Sequence, residues 1–142
     1  MVYPAPMRDD LSFSVPLRVR FSETDAAGVA NNGAYLAWLE IGRIEYLRWL
    51  GHSYAEVHGG GIDMVVVEAN VRYLRALRFD DQFRVRCGCT RVSGASFTFD
   101  YVLERDGIVC TEASTRHACL DRTTMRPVRV PEWLRRAVGL GP

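Results

Sequence analysis

The residues best suited to chemistry are one carboxylate and the start of the helix that follows it. Asp25 stands in a tight loop with Gly28 as a hinge, and the pair Asn31 and Asn32 then precedes Gly33 and a long apolar stretch. The first turn of a helix presents unpaired backbone N–H groups and a partial positive charge. A carboxylate that activates water, beside donors that hold an oxyanion, could hydrolyse an activated carbonyl.

Each of these residues also has a purely structural interpretation. Aspartate commonly closes an Asx-turn or caps a helix, and asparagine is a preferred N-cap. One asparagine is enough for a cap, so the second is free to face a ligand. Gly33 lets a carbonyl approach the backbone closely, or is simply a small residue tolerated at that position.

Two residues outside the loop are further candidates. Tyr35 lies on the helix, where an aromatic ring is expected in the core or in a pocket wall. Glu68 lies in a β-rich segment and could be a second acid near the pocket. A strand glutamate more often pairs with an arginine across the sheet, and Arg72 and Arg84 are the candidate partners.

The pattern of apolar residues predicts an α+β fold. Alternation predicts a strand over 17–21, and helical spacing predicts a helix over 33–50 whose apolar side is broad enough for it to be enclosed. Four strands in a meander follow, predicted over 64–74, 82–92, 96–104 and 108–120, with short helical segments over 53–58 and 131–138. We therefore expect a roughly five-stranded antiparallel sheet around one long central helix, with an unpaired edge that a second copy could cover.

Composition narrows the function classes. The 142 residues are 48% hydrophobic with a net charge of +1, as for one ordinary domain spanning 1–142, with 1–14 as a loose N-terminal arm and 125–142 as a C-terminal extension. This balance gives no reason to expect nucleic acid or a membrane as partner, and no apolar run suits a membrane span or a secretion signal. The expected location is therefore cytoplasmic. All 18 basic residues are arginines, which excludes Schiff-base chemistry on lysine but suits phosphate recognition.

The four cysteines do not form a metal-binding pattern. Cys87, Cys89, Cys110 and Cys119 have no Cys-x-x-Cys or Cys/His spacing, so they are expected to be reduced, small apolar residues within strands. No metal site and no resident cofactor are expected.

The segment from residue 21 to residue 48 resembles the start of hotdog-fold acyl-CoA thioesterases of the 4-hydroxybenzoyl-CoA thioesterase type. The matching positions are Thr24, Asp25, Gly28, Asn31, Asn32, Tyr35, Glu40 and Arg43. Residues 65–74 resemble the second strand of that family, and 78–81 resemble the turn after it. The resemblance runs from about residue 17 to residue 120.

The resemblance implies a long helix wrapped by an antiparallel sheet, working as a homodimer or a dimer of dimers with sites at the dimer interface. It implies hydrolysis of an acyl-CoA to a free acid and coenzyme A, which is part of the substrate. Asp25 would be the general base or nucleophile, and the helix N-terminus at Asn32–Gly33 would be the oxyanion donor. The substrate contacts would come from Gly28, Asn31, Tyr35 and Glu68.

This chain differs from the family at two loop positions. Members often carry histidine or tyrosine where this chain has Val29 or Asn32, so no imidazole or phenol assists the carboxylate here. A hydratase of the same fold would need that histidine and is disfavoured. Two alternatives stay open: a thioesterase acting on acyl carrier protein, and a non-catalytic module that binds acyl thioesters.

Overall fold

The computed structural model describes residues 11–138. Its strands are β1 (Phe13–Arg18), β2 (Ile62–Tyr73), β3 (Gln82–Val92), β4 (Ser96–Arg105) and β5 (Ile108–Asp121), and its helices are α1 (Asn32–Trp49), α2 (Tyr54–Gly59) and α3 (Glu132–Ala137). These elements form one five-stranded antiparallel sheet with the long helix packed on its inner face. The predicted α+β class, the central helix and the strand count are confirmed.

The order of strands in the sheet differs from the predicted meander. The order is β1-β3-β4-β5-β2, so β3, β4 and β5 form hairpin neighbours while β2 pairs with β5 at the far edge. The segment 74–81 must therefore cross from one side of the sheet to the other. Sequence patterns locate strands but do not show which strands pair, so the meander prediction was wrong for β2.

The first strand begins earlier than predicted, and the end of the predicted loose arm is ordered. Phe13 and Ser14 belong to β1, and Leu11 is only 2% exposed. The Leu11 carbonyl accepts a hydrogen bond from Arg86 Nε, and its side chain packs against Gly88. Residues 11–14 are therefore part of the fold, because β3 offers them both a hydrogen-bonding edge and an apolar surface. The rest of the arm, 1–10, lies outside the described residues.

The helix α1 packs one face on the sheet and leaves the opposite face open. Trp38 and Leu39 are buried against the sheet, whereas Leu36 is 50% and Ile41 37% exposed. The enclosure expected from the sequence is thus incomplete in a single chain. At the closest approach, a Cβ on Gly42 would lie 2.9 Å from Val85 Cγ1.

We expect Gly42→Val to lower the free energy of unfolding by about 2–3 kcal/mol, since extra volume in a packed interface forces shifts. Val85 is fully buried, so it has no room to move. The matched control is Ala37→Val on the exposed side of α1. It should cost only about 0.6 kcal/mol in helix propensity. Urea unfolding of both variants measures the difference, and equal losses would contradict this account of the packing.

The segment after β5 packs on the hydrophobic core. Val128 N donates to the Cys119 carbonyl at 2.9 Å, and Val130 and Leu134 are buried. The four cysteines are free and buried in β3 and β5, as predicted. Burial raises the pKa of the Cys87 and Cys89 thiols to about 12, which keeps them protonated and unreactive.

Candidate active site

The loop before α1 is a small β-hairpin. Thr24 and Ala30 form an antiparallel bridge, and the backbone N–H of Asp25 donates to the Val29 carbonyl at 3.0 Å. Gly28 has φ of +79°, a conformation that residues with a side chain rarely adopt, and its N–H donates to the Asp25 carbonyl at 2.9 Å. The turn that Gly28 makes possible holds Asp25 at a defined place just before the helix.

The Asp25 carboxylate is exposed, and only one of its two oxygens accepts a hydrogen bond from the described residues. One oxygen, Oδ1, accepts the backbone N–H of Ala27 at 2.9 Å, which is the Asx-turn considered from the sequence. Within residues 11–138 the other oxygen, Oδ2, has no hydrogen-bond partner. The turn therefore orients the carboxylate without consuming both of its oxygens, and one remains available to a water or a substrate.

The two asparagines at the N-terminus of α1, Asn31 and Asn32, have different positions in the helix. Asn31 is the N-cap, because its Oδ1 accepts the backbone N–H of Ala34 at 3.0 Å. Asn32 is the first helical residue and its side chain is exposed. In the described part of the chain, the backbone N–H groups of Asn32 and Gly33 have no acceptor. These two groups are the oxyanion donors that the sequence predicted, and their role stays a prediction.

Glu23, which the sequence reading did not single out, ties the loop to the helix. Its carboxylate accepts the indole N–H of Trp38 at 2.9 Å and the backbone N–H of Arg20 at 2.7 Å. Its carbonyl accepts the N–H of Asn31 at 2.8 Å. Burial acts to raise the pKa of Glu23, but hydrogen bonds from Arg20 and Trp38 outweigh it and the pKa is lowered overall. No local sequence signal marks this role, because Trp38 lies two turns into the helix.

The crossing segment 74–81 forms the other wall of the site. The N–H of Ala30 donates to the Leu77 carbonyl at 2.7 Å, and Val29 forms a bridge with Arg78. Leu77 is completely buried and anchors this segment in the core. The connection from β2 to β3 therefore runs directly beside the loop that carries Asp25.

A groove of about 210 Å³ opens where these parts meet. Its lining residues are Val29, Ala30, Asn32, Tyr35, Tyr73, Leu74, Arg75 and Ala76. The structure brings two predicted residues, Asn32 and Tyr35, into this groove. Asp25 lies on the adjoining hairpin but does not line the groove in the single chain, and neither do Gly28, Asn31 or Gly33.

Two lining residues, Tyr35 and Arg75, determine the polarity and charge of the groove. The ring of Tyr35 packs against those of Trp38 and Tyr73, each with a centroid distance of 4.8 Å. Burial raises the pKa of the Tyr35 phenol, so it stays neutral at ordinary pH. Arg75 is exposed and donates to the Val109 carbonyl at 3.0 Å, and in the described chain no carboxylate lies within 4.0 Å of it. The groove therefore has an aromatic floor and a cation at its edge.

Glu68 lies away from the groove and has a structural partner. It is half exposed on β2 and lies 3.8 Å from Arg116 on the neighbouring β5. An ion pair across the sheet was one of its two interpretations, but the predicted partners, Arg72 and Arg84, were wrong. Arg72 shares the strand with Glu68, and Arg84 lies on β3, which is not adjacent to β2.

The described residues contain neither a metal-binding cluster nor a membrane-spanning helix. Within 11–138, no group of three or more histidine, cysteine or acidic side chains is arranged to hold a metal ion. None of the described helices is long and apolar enough to cross a membrane.

Comparison with known proteins decides the family. Residues 19–138 match the model of the thioesterase-like superfamily. The chain belongs to this superfamily. It is thus a member of a family of thioester hydrolases, and it carries an exposed carboxylate in the loop that leads into the N-terminus of α1.

Individual relatives agree with this assignment. The chain is 33% identical over 129 residues to the acyl-CoA thioesterase YbgC of Haemophilus influenzae, covering 90% of this chain and 95% of that protein. It is 33% identical over 125 residues to the acyl-acyl carrier protein thioesterase ATL3 of Arabidopsis thaliana, covering 85% of this chain and 64% of that protein. The crystal structure of TT1821 from Thermus thermophilus superposes with a TM-score of 0.83 at 31% identity, covering 91% of this chain and 98% of the other.

Proposed function

We propose that this protein hydrolyses acyl-CoA thioesters to a free carboxylic acid and coenzyme A. The observation that carries the proposal is that the short hairpin with Asp25, which keeps one unengaged carboxylate oxygen, leads directly into the helix start with the two unpaired N–H groups at Asn32 and Gly33. The hydrogen bond from the Asn31 N–H to the Glu23 carbonyl ties the hairpin to the start of the helix. Membership of a thioester hydrolase superfamily and likeness to the YbgC thioesterase support the same reaction.

In this mechanism the thioester carbonyl oxygen accepts hydrogen bonds from the N–H groups of Asn32 and Gly33. The dipole of the 18-residue helix α1 adds a partial positive charge at the same point. Negative charge that develops on the oxygen during attack is stabilised there without rearrangement of the protein.

Asp25 supplies the base. It takes a proton from water as the hydroxide oxygen bonds to the carbonyl carbon, and it returns that proton to the coenzyme A thiolate when the C–S bond breaks. In the nucleophilic variant, Asp25 attacks the carbonyl directly, the thiolate leaves, and water then cleaves the resulting anhydride. Neither route requires a resident cofactor or metal.

The geometry favours a site completed by a second copy of the chain. Asp25 does not line the groove that contains Asn32 within one chain. The strand β2 is an open edge of the sheet, with Val66, Val67 and Tyr73 each nearly half exposed. An exposed β-branched edge strand is a template for pairing with another strand. A homodimer joined along β2 would cover this edge and bring two sites together.

Arg75 is the proposed contact for the phosphates of coenzyme A. We expect Arg75→Ala to raise KM about three- to tenfold with a smaller effect on kcat, because an exposed guanidinium contributes modestly to binding. Steady-state kinetics at two salt concentrations measure it, since the wild-type KM should rise with salt more steeply than the variant's. Arg48→Ala, at the other end of α1, is the matched control. An unchanged KM in Arg75→Ala would remove this residue from the carrier site.

A second candidate is hydrolysis of the same thioester carried by acyl carrier protein. The specific observation that favours it is the 33% identity to ATL3, which is named for that activity. The catalytic residues would be the same, and only the carrier contacts would differ.

The deciding experiment follows thiol release with a thiol-reactive dye from aliphatic and aromatic acyl-CoAs, and from acyl carrier protein loaded with the same acyl groups. We expect turnover with acyl-CoA. Turnover only with the protein-bound acyl groups would select the second candidate. Tight binding of thioesters without thiol release from either carrier would refute both and indicate a binding module.

A further inference from the structure

A second cavity, of about 320 Å³, lies between α1, α2 and the sheet, toward the C-terminal half of α1. Its wall is mostly apolar and includes Ile44, Leu47 and Phe99. Polar groups interrupt this wall at Glu40, Tyr54, Arg43 and His117, and the last two are linked by hydrogen bonds. Neither of these two has a role in the hydrolysis mechanism, so the reason for their presence lies elsewhere.

Arg43 and His117 are the two ends of one chain of hydrogen bonds. Arg43 Nη1 lies 3.1 Å from the Tyr101 hydroxyl, which lies 2.6 Å from Thr115 Oγ1. Thr115 Oγ1 in turn lies 2.7 Å from Nε2 of His117. Tyr101, Thr115 and His117 are all at most 2% exposed, so these groups exchange hydrogen bonds with one another instead of with bulk water.

The direction of this chain follows from what each group can donate. A guanidinium only donates, so the Tyr101 oxygen accepts from Arg43. The hydroxyl hydrogen of Tyr101 then needs an acceptor, and Thr115 is the one within reach. If Thr115 donated to Tyr101 instead, the Tyr101 hydrogen would be buried without a partner, which is costly. Thr115 therefore donates to Nε2 of His117, and the ring proton of His117 resides on Nδ1.

Arg43 and His117 consequently present hydrogen-bond donors to the cavity. Burial lowers the pKa of His117 to about 3, and the charge of Arg43 acts in the same direction, so the imidazole is neutral. Among residues 11–138, Nδ1 of His117 has no hydrogen-bond partner and Arg43 has no carboxylate within 4.0 Å. Glu40 also lines the cavity, one turn before Arg43, and forms no ion pair with it, so its negative charge disfavours an anionic acyl end.

We propose that this cavity binds the distal part of the acyl group, and that Arg43 and His117 select acyl groups carrying a neutral oxygen acceptor, a hydroxyl or carbonyl, at that end. The inference rests on the proposed thioesterase function. The rise of an α-helix places Arg43 about 16 Å along α1 from Asn32. The helix α1 and the strand β2 border both the groove and this cavity, so an extended acyl chain can follow them from one to the other.

The test compares dodecanoyl-CoA with ω-hydroxydodecanoyl-CoA and ω-carboxyundecanoyl-CoA. We expect wild type to show a kcat/KM about tenfold higher for the hydroxylated chain than for the plain chain, the size expected for one hydrogen bond to a charged donor. In Arg43→Met this ratio should fall to near one. In Arg48→Met, the same substitution on an exposed part of the same helix, the ratio should stay as in wild type.

The outcomes separate this inference from the proposed function. No thiol release from any thioester, shorter chains included, refutes the proposed function itself. Equal hydrolysis of the plain and hydroxylated chains by wild type overturns only the selection by Arg43 and His117. A higher kcat/KM for the ω-carboxylated chain than for the hydroxylated chain overturns the claim that the selected group is neutral.

A binding measurement on wild type covers the case in which Arg43→Met does not fold. The proton NMR signal of His117 Nδ1–H, assigned by its loss in His117→Gln, should shift with ω-hydroxydodecanoate. With dodecanoate it should shift much less. Equal shifts with both ligands would overturn the proposal.

Discussion

We expect Asp25→Asn to lower kcat for acyl-CoA hydrolysis by about 10²- to 10⁴-fold, the usual cost of removing a general base. Asparagine keeps the side-chain oxygen that accepts the Ala27 N–H, so the hairpin should keep its shape. The amide, however, cannot take a proton from water and is a poor nucleophile. Thiol release measured at saturating substrate tests this, and the thermal midpoint of unfolding should change little.

The matched control is Asp80→Asn. Asp80 is an exposed aspartate in a nearby turn with φ of 70°, a conformation that asparagine tolerates well. We expect its kcat to stay within about threefold of wild type, because surface substitutions of this kind usually change little. An Asp25→Asn enzyme as fast as Asp80→Asn would remove Asp25 from the chemistry. Hydroxylamine separates the two routes. It also cleaves acyl-CoA itself, but only an aspartyl anhydride would let it convert Asp25 to a hydroxamate, which mass spectrometry of the protein detects.

We expect the second large effect, a loss of stability, from substitution of Glu23. Glu23→Ala removes the acceptor for the Trp38 indole and the Arg20 backbone, and it leaves the buried Trp38 N–H without a partner. We expect a loss of about 2–3 kcal/mol in the free energy of unfolding, the range for an orphaned buried donor together with a lost charged hydrogen bond. Urea unfolding measures this loss. Activity should also fall, because Glu23 holds the loop that carries Asp25 against α1.

Glu45→Ala is the control for Glu23. Glu45 pairs with Arg48 on the surface of α1, and such exposed pairs contribute only about 0.5 kcal/mol. A loss at Glu23 no larger than the loss at Glu45 would show that the hydrogen bonds of the buried carboxylate do not stabilise the loop.

The contribution of Glu23 to the free energy of unfolding should decrease at low pH. Its pKa is lower in the folded protein than the ordinary value of 4.5, so the ionised form is favoured by folding. The stability that this provides is present above pH 4.5 and is lost as pH falls through the lower folded value. The difference in unfolding free energy between wild type and Glu23→Gln should therefore shrink below pH 4.5. A constant difference down to pH 3 would contradict this.

Much of the fold could be predicted because the sequence patterns that specify its strands and helix lie within short segments of the chain. The alternation of apolar residues located β2 to β5 to within two residues at each end, and helical spacing located α1 to within one residue. Alternation placed β1 poorly, since the predicted strand at 17–21 overlaps the observed Phe13–Arg18 at only two residues. The turn chemistry of Asp25 and Gly28 and the capping preference of asparagine are also local. Together they predicted a carboxylate just before a helix N-terminus, which the structure contains.

Strand pairing could not be predicted in the same way. Periodicity shows which face of β2 is apolar but not which strand lies beside it, and β2 pairs with β5 rather than β3. The same limit explains the partner of Glu68, since Arg116 becomes its neighbour only through that pairing. Hydrogen bonding between distant strands depends on the whole sheet, and no short segment encodes it.

The sequence by itself therefore determined the class of fold, the central helix and the one acid beside its N-terminus, because residue preferences and short spacings carry that information. Only the tertiary structure decided what surrounds them. Glu23 accepts a hydrogen bond from Trp38, segment 74–81 pairs with the loop that carries Asp25, and Arg43 donates to Tyr101, 58 positions away. These contacts arise from packing between elements far apart in the chain, and they determine how the site is held and what it can bind.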